Sequence, residues 1–320
     1  MKLPRRHLPL LASLAVYLAL YAVVAWRYGD QNFLTLDVFL NFLRGYATLG
    51  IVAVGMTLVI LSGGIDLSVG AVMSLSTVVI ATLVMERGWP PAAAIPAAVA
   101  LGGLLGAGMG SIIRYAGLQP FIVTLAGMFF ARGLGFIVHL ESLSIDHPQH
   151  KWLASLGVSL GGGHTLPITA IVFLVMVAAG IYVARHTSFG RNIYAIGGNE
   201  EAATLMGLPV GRTKLAVYAL SGVCAALAGA VLTLDTPSGN PTSGVGMELD
   251  AIAAVVVGGT LLTGGVGSVF GTLIGVLTVG LIAESIRNYE GTSGSGATSV
   301  AIGLLLLAFV LLQRFLTRRM

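Results

Sequence analysis

Long apolar runs separated by short polar or glycine-rich stretches fill the chain, and ten of them have the length of a membrane span. They cover roughly residues 8–28, 40–61, 67–85, 91–113, 118–138, 166–184, 214–234, 250–264, 267–285 and 298–316. About 20 apolar residues in a helix cross a hydrocarbon core roughly 30 Å thick. Two pairs of runs have no charged loop between them. Between Arg44 and Glu86 the only formal charge is Asp66. A single helix over residues 45–85 would be about 60 Å long, twice what a bilayer needs. A break is therefore expected at Ser62-Gly63-Gly64, where adjacent glycines disfavour a continuous helix. The same reasoning puts a second break at Thr263-Gly264-Gly265. The first run, Leu8 to Trp26, follows Lys2, Arg5 and Arg6. It is too long for the core of a cleaved signal and reads as the first span.

Composition agrees. Of 320 residues 56% are hydrophobic and 9% charged, and the mean hydropathy is +0.93. A soluble domain carries roughly 25% charged residues. The expected fold class is all-α: a polytopic helical bundle of about ten spans, with residues 1–320 as one transmembrane domain. The formal charge of +4 and the pI near 9.4 come without any basic cluster interleaved with aromatics, so nucleic acid is not an expected partner. Ten spans and a cytoplasmic N-terminus place Lys2, Arg5, Arg6, Arg114, Arg185, Arg191, Arg212, Lys214, Arg314, Arg318 and Arg319 inside. Only Arg27, Arg87, Lys151 and Arg287 fall outside, which obeys the positive-inside rule and puts both termini in the cytoplasm. The one cysteine, Cys224, excludes an intrachain disulfide or a CxxC metal site and reads as an inert apolar residue. His147 and His150 have a spacing that permits metal binding, but a solvated loop is the expectation for them. No metal, cofactor or catalytic cluster is expected.

Glycine supplies 44 residues. Gly102, Gly106 and Gly110 recur every four residues, as do Gly267, Gly271 and Gly275. Such stripes let helix backbones approach closely in lipid, so packing is their expected role. The two breaks also resemble each other. Leu61-Ser62-Gly63-Gly64-Ile65 matches Leu262-Thr263-Gly264-Gly265-Val266, which suggests an internal repeat. Glycine-interrupted spans at matching positions of two halves can mark a transport path.

The longest segment on the expected cytoplasmic side, about 185–214, holds a short helix with its own signals. Asn199 can cap it, Glu200 and Glu201 suit its first turn, and Gly207 then Pro209 end it. A helix this short is marginal alone in water. It must dock on something, either its own bundle or a partner's groove.

Glu201-Ala202-Ala203 followed by Gly207 resembles the EAA---G loop of ABC-importer permeases. "FGRNIYAIGGN" (189–199), "GMTLVILSGGIDLSVG" (55–70) and "VVVGGTLLTGGVGSVFGT" (255–272) resemble the ribose-type sugar permeases. "LAGMFFARG" (125–133), "IDHP" (145–148), "ATLMGL" (203–208) and "GVGMELDAIA" (244–253) are similar to the permeases of galactofuranose importers. The resemblance implies a type II ABC-importer-like fold in a bacterial inner membrane. It implies a second permease subunit, identical or related, a cytoplasmic ATPase dimer and a periplasmic sugar-binding protein. It also assigns Asn199, Glu200, Glu201, Ala202, Ala203 and Gly207 to ATPase coupling. The chain has no Walker A pattern, so ATP hydrolysis is expected on a separate subunit and this chain is not expected to be an enzyme. The alternatives are a permease for another small polar solute (ribose, an autoinducer-like furanose or an amino acid), or an ion-coupled secondary transporter.

Ser62, Gly63, Gly64, Asp66, Gly264 and Gly265 are candidate turn and gating residues. The second break has Gly267 where the first has Asp66, so the turn itself does not need an acid. Asp66 reads either as a group that caps the next helix or sits at the cytoplasmic interface, or as part of a gate or of the ATPase-side contact. Arg44 and Arg132 are costly in hydrocarbon, which favours a bundle-interior or pathway role, with snorkelling as the alternative for Arg44. Asn41, Gln119, Thr124 and Glu284 complete the candidate pathway set. Each could bond a solute hydroxyl or a neighbouring helix.

Overall fold

A computed structural model describes residues 8–28, 33, 35–290 and 294–317. Lys2, Arg5, Arg6, Arg318 and Arg319, which the orientation used, lie outside the described residues. The elements in chain order are α1 (Leu8–Tyr28), α2 (Leu36–Gly45), α3 (Ala47–Leu61), α4 (Val69–Met85), α5 (Pro91–Tyr115), α6 (Pro120–Val138), β1 (Leu143–Ser144), α7 (Pro148–Ser155), β2 (Gly157–Gly161), β3 (His164–Pro167), α8 (Ile168–His186), α9 (Ser188–Gly198), α10 (Glu200–Leu205), α11 (Val210–Asp235), β4 (Ser238–Gly239), α12 (Met247–Val257), α13 (Val269–Glu290) and α14 (Gly294–Thr317). The fold is an all-α polytopic bundle with short extended pieces at one end. Proline opens α5, α6 and α7 at the first helical positions, where its fixed φ suits the helix and its missing N–H costs nothing.

Every residue of α3 is buried, so α3 is the axis of the bundle. Helices α8, α11, α12 and α13 surround it. Gly50 receives the Phe173 ring of α8, and Gly55 receives Cys224 and Ser221 of α11. Thr57 Oγ1 and Thr272 Oγ1 share a hydrogen bond of 2.6 Å that ties α3 to α13. Cys224 is buried in this packing and unpaired.

Each expected span meets at least one helix, but the lengths differ. By length and composition six of the described helices can cross a membrane, seven if the bent pair α2–α3 is one span. That pair turns by 55° at Tyr46, whose ring packs with Phe42 on Gly280 of α13. Helix α12 departs most from expectation. Residues 250–264 were expected to cross, yet α12 stops at Val257 and has 11 residues, about 16 Å, half the hydrocarbon thickness. Glycines end it: Gly258 and Gly259 lead into an irregular stretch that runs to α13.

The two chain ends of each helix define two faces of the bundle. One carries α9 and α10; the other carries the antiparallel β2–β3 hairpin, α7 and the β1–β4 pair, with Leu143 opposite Gly239. This second face is more ordered than the expected solvated loop. His150 is fully buried with Nε2 facing Thr233 Oγ1 at 3.4 Å, and His147 caps α7 through Nδ1, accepting from Gln149 N at 3.2 Å. Burial, aided by neighbouring His147, pushes the His150 imidazole below its ordinary pKa and favours the neutral form.

Glycine spacing carries the α5–α11 contact. A Cβ on Gly102 would meet Ala226 and the Gly222 carbonyl, one on Gly106 the Tyr218 carbonyl, and one on Gly110 the Leu215 backbone at 2.9 Å. Gly108, on the opposite side of α5, has nothing within 4 Å. Gly106→Ala is therefore expected to lower stability by about 1–3 kcal/mol through overpacking. Gly108→Ala should be neutral or gain about 0.5–1 kcal/mol from helix propensity. Thermal unfolding of the two purified variants in one detergent checks the contrast.

Candidate translocation and coupling site

The short helix α10 is built as its sequence demands. Asn199 Oδ1 accepts from Ala202 N at 2.9 Å, and Glu200 and Glu201 occupy the first turn. At the other end Gly207 adopts φ +76°. Leu208 N donates to Ala203 O at 3.1 Å and Gly207 N to Thr204 O at 3.0 Å, which together form a Schellman cap. Ala203 is buried against the bundle, and Lys214 of α11 donates to both Glu200 oxygens at 2.6 Å. Leu205 and Met206 are 89% and 69% exposed. A well-capped helix thus presents two bare apolar side chains, while one small residue anchors it from beneath.

The residues just before α10 meet both glycine breaks. Gly63 and Gly264 share the left-handed conformation, with φ of +82° and +86°. A Cβ on Gly264 would lie 2.9 Å from the Gly63 backbone and 3.0 Å from Gly197 Cα. One on Gly265 would lie 2.8 Å from Gly198 Cα, and one on Gly197 would overlap the Leu61 carbonyl. That carbonyl accepts from Gly265 N at 3.0 Å. The end of α3, the loop after α12 and the end of α9 therefore touch backbone to backbone, with only Asn199 between this junction and α10. Ser62 Oγ is turned inward and donates to Val59 O at 2.7 Å. Tyr194 of α9 adds a bond from its hydroxyl to Gly267 O at 3.0 Å.

Asp66 bonds the backbone just before α4, as the capping alternative expected, but it sits inside the bundle rather than at an interface. It is fully buried. Its Oδ1 accepts from Ser68 N at 2.9 Å and Ser68 Oγ at 2.6 Å, and its Oδ2 accepts from Ser221 Oγ at 2.7 Å. Ser221 lies in the middle of α11 and packs at Gly55, well above the end of α3. After the Gly63-Gly64 turn the chain climbs back into the bundle, and the Tyr218 hydroxyl sits over Gly64 without a hydrogen-bond partner of its own. The match to Gly267 in the second break holds at the level of sequence only, since Gly267 packs on Thr260.

The pathway candidates separate into three places. Asn41 and Glu284 line a cavity of about 600 Å³ at the hairpin end, together with Tyr17, Phe39 and Asp235. Arg44 is at the same end in an ion pair with Asp235, a partner the sequence did not single out. Glu284 lies 3.5 Å from Arg287, one turn on. Thr124 is buried and structural, donating to Pro120 O at 2.9 Å and to Ile65 O at 3.3 Å. Gln119 is exposed at the start of α6 and forms no cap. Arg132, deep in α6, donates through Nη1 to Pro241 O at 2.8 Å and Ser243 O at 2.7 Å. Among the described residues no cluster of His, Cys, Asp and Glu could hold a metal.

Residues 38–312 match the model of a family described as branched-chain amino acid transport system / permease component. The chain belongs to this family of transport permeases. The inner membrane ABC transporter permease protein YjfF of Escherichia coli K12 is 45% identical over 313 residues, covering 98% of this chain and 94% of that protein. The fructose import permease protein FruG of Bifidobacterium longum is 37% identical, over 98% of this chain and 92% of its own length. The ribose import permease protein RbsC of Haemophilus influenzae is 40% identical, over 90% of this chain and 88% of its own length. No solved structure matches the chain. Membership agrees with what the geometry provides in this permease: a multi-pass bundle of apolar helices.

The junction makes a sharp prediction. Gly197→Ala, which drives a methyl into the Leu61 carbonyl, should displace α9 and α10 and lower stability by about 1–3 kcal/mol. Gly198→Ala has open space and should be silent. Limited trypsin digestion of the folded protein, read at Arg191, Arg212 and Lys214, should accelerate for the first variant alone.

Proposed function

We propose that this chain is the membrane-spanning subunit of an ATP-driven importer for a monosaccharide, working with a second permease subunit, a cytoplasmic ATPase dimer and a periplasmic sugar-binding protein. The observation that carries the reading is the seating of α10. Its exposed Leu205 and Met206 suit a partner's groove. Its anchor leads through Asn199 into the glycine junction, so a push on α10 reaches both breaks without crossing a soft side-chain layer. Asn199, Glu200, Glu201, Ala202, Ala203 and Gly207 act as the coupling unit. Ser62, Gly63, Gly64, Asp66, Gly264 and Gly265 form the gating turns. In this reading the α10 face and both termini are cytoplasmic, the hairpin face is periplasmic, and residues 1–320 work as one permease domain. ATP is hydrolysed on the partner, as expected for a chain without a phosphate-binding loop.

The names of FruG and RbsC support a sugar as the solute. The motifs at 125–133, 145–148, 203–208 and 244–253 support galactofuranose within that class. The family description keeps an amino acid as the competing cargo. A second mechanism, ion-coupled transport, has one observation in its favour: Asp66 is a fully buried carboxylate whose partners are hydroxyls and an amide rather than a cation.

Replacement of both exposed anchors, Leu205→Glu with Met206→Glu, should leave the bundle folded because neither is packed. It should lower ATPase co-purification and ATP-dependent uptake by more than tenfold, about 1.4 kcal/mol or more of docking energy. Uptake by the isolated chain, driven by an ion gradient without the ATPase, would overturn the importer reading. Competition among unlabelled ribose, fructose, galactofuranose and leucine for uptake decides the cargo.

A further inference from the structure

We infer that the unwound segment Gly239–Gly246, with the start of α12, lines the water-filled route by which a neutral polyhydroxylated solute crosses the bundle. The inference rests on the importer reading and adds to it a specific lining element.

The segment penetrates far into the bundle. Gly239 packs on the Thr77 carbonyl and Ala81 of α4, Asn240 O accepts from Ser74 Oγ at 3.0 Å, and Gly244 packs on Met73 and Gly70. From Ala81 to Gly70 it descends about 16 Å along the helix. Val72, at the bottom of this descent, packs at Gly102, near the midpoint of α5. Helix α5 is one of the six full-length spans. Non-helical backbone therefore reaches the middle of the membrane.

Such backbone must be buried in protein or face water, because hydrocarbon satisfies no N–H or C=O. Much of it is provided for. Arg132 takes the carbonyls of Pro241 and Ser243, and Asn240 Oδ1 accepts from Thr242 N at 2.9 Å. Val245 is not provided for. It is 73% exposed, and neither its N–H nor its C=O has a hydrogen-bond partner among the described residues. One helical turn on, Leu249 is 62% exposed, and between them Glu248 Oε2 is buried without a partner. An exposed strip with open donors and acceptors at mid-depth is incompatible with lipid. It is compatible with a route for a solute whose hydroxyls donate and accept. Interrupted helices at mid-depth serve transport in the same way elsewhere. Arg132 is then a positioning residue that holds the lining in its unwound form rather than a group that touches the solute.

Accessibility of introduced cysteines tests this in membranes containing the full complex. Native Cys224 is buried, so the wild-type chain serves as the blank. Leu104→Cys, 70% exposed and also near the middle of α5, is the control at matching depth. Val245→Cys and Leu249→Cys should react with a charged methanethiosulfonate at least ten times faster than Leu104→Cys. Reaction should abolish uptake of whichever of labelled D-ribose, D-fructose or D-galactose the wild-type complex accumulates. Three results overturn the inference: equal slow reaction with the charged reagent and ready reaction with an uncharged maleimide at all three sites, which means lipid; no reaction with either reagent together with oxidative cross-linking between permease subunits, which means a dry seam; or rapid reaction that leaves uptake intact. Uptake by the unmodified wild-type complex is scored separately for its need of ATP. Loss of that requirement sinks the importer reading whatever the labelling shows.

Discussion

Three backbone segments touch at Gly63, Gly197 and Gly264, and the arrangement of the bundle's α10 end depends on that contact. Close approach there is possible because Gly197 and Gly264 carry no Cβ, and Gly63 and Gly264 hold a conformation that L side chains rarely adopt. The contact joins elements far apart in sequence: the end of the central helix α3, the loop that follows the half-length α12, and the end of α9. It also sets where α10 can stand, since Asn199 alone intervenes and its side chain is already committed to capping. Backbone contacts of this kind are stiff. They have no rotamers to absorb a displacement, so segments joined this way move as a unit or separate.

The rest of the interior follows from a second constraint, the cost of polar groups away from water. Thr57 meets Thr272, Thr124 bonds its own helix and the Ile65 carbonyl, and Ser76 Oγ donates to Ala226 O at 3.0 Å. Asp66 is the extreme case. Three donors from Ser68 and Ser221 surround the carboxyl group, and they fasten the climbing loop to α11. The loop after α3 is thereby held at two levels, by glycine backbone below and by a hydrogen-bonded carboxyl group above. The loop after α12 has only the lower of these fastenings, because it contains no acidic residue.

The sequence displayed the features that rest on local chemistry. Hydropathy runs marked the helices, Asn199 and Gly207 marked the ends of α10, and paired glycines marked both breaks. Features set by tertiary packing stayed hidden. Nothing in the hydropathy says that α12 is half a span, because the apolar run resumes at Leu261-Leu262; the Gly258-Gly259 pair that ends the helix was the one local signal. Nor does Asp66 in isolation reveal its height in the bundle, which depends on the chain reversing after Gly64 to meet Ser221. Arg44 and Arg132 were visible as charges in apolar surroundings. Their partners, Asp235 and the carbonyls of Pro241 and Ser243, lie about a hundred residues or more away, where no spacing rule reaches. Helix α9 was missed because its apolar positions are sparse and Thr187 is an inconspicuous cap, though the Thr187 hydroxyl accepting from Gly190 N at 3.0 Å is an ordinary start signal.

The unequal fastening of the two breaks bears on how one short helix could act on both. On the importer reading, α10 pushes the junction, and both loops feel the push through the same glycine contacts. The first loop is pinned above by Asp66, so displacement there must bend the stretch between Gly63 and Asp66 rather than shift the start of α4. The second loop lacks that pin, and its upper part is linked to α9 through Tyr194 and the Gly267 carbonyl. A push from α9 is therefore delivered to the second loop at Gly264-Gly265 and at Gly267, and to the first break at Leu61 and Gly63. The expected motion is lopsided: the half-length α12 and the loop after it travel with the coupling segment, while α3, α4 and the α13 tied to α3 through Thr57 and Thr272 form the fixed wall. The unwound Gly239–Gly246 segment joins these two groups, packed on α4 at one end and continuous with α12 at the other. The relative motion of wall and moving half falls across that segment, where isolated turns such as Ser243 N to Asn240 O replace a continuous helical ladder.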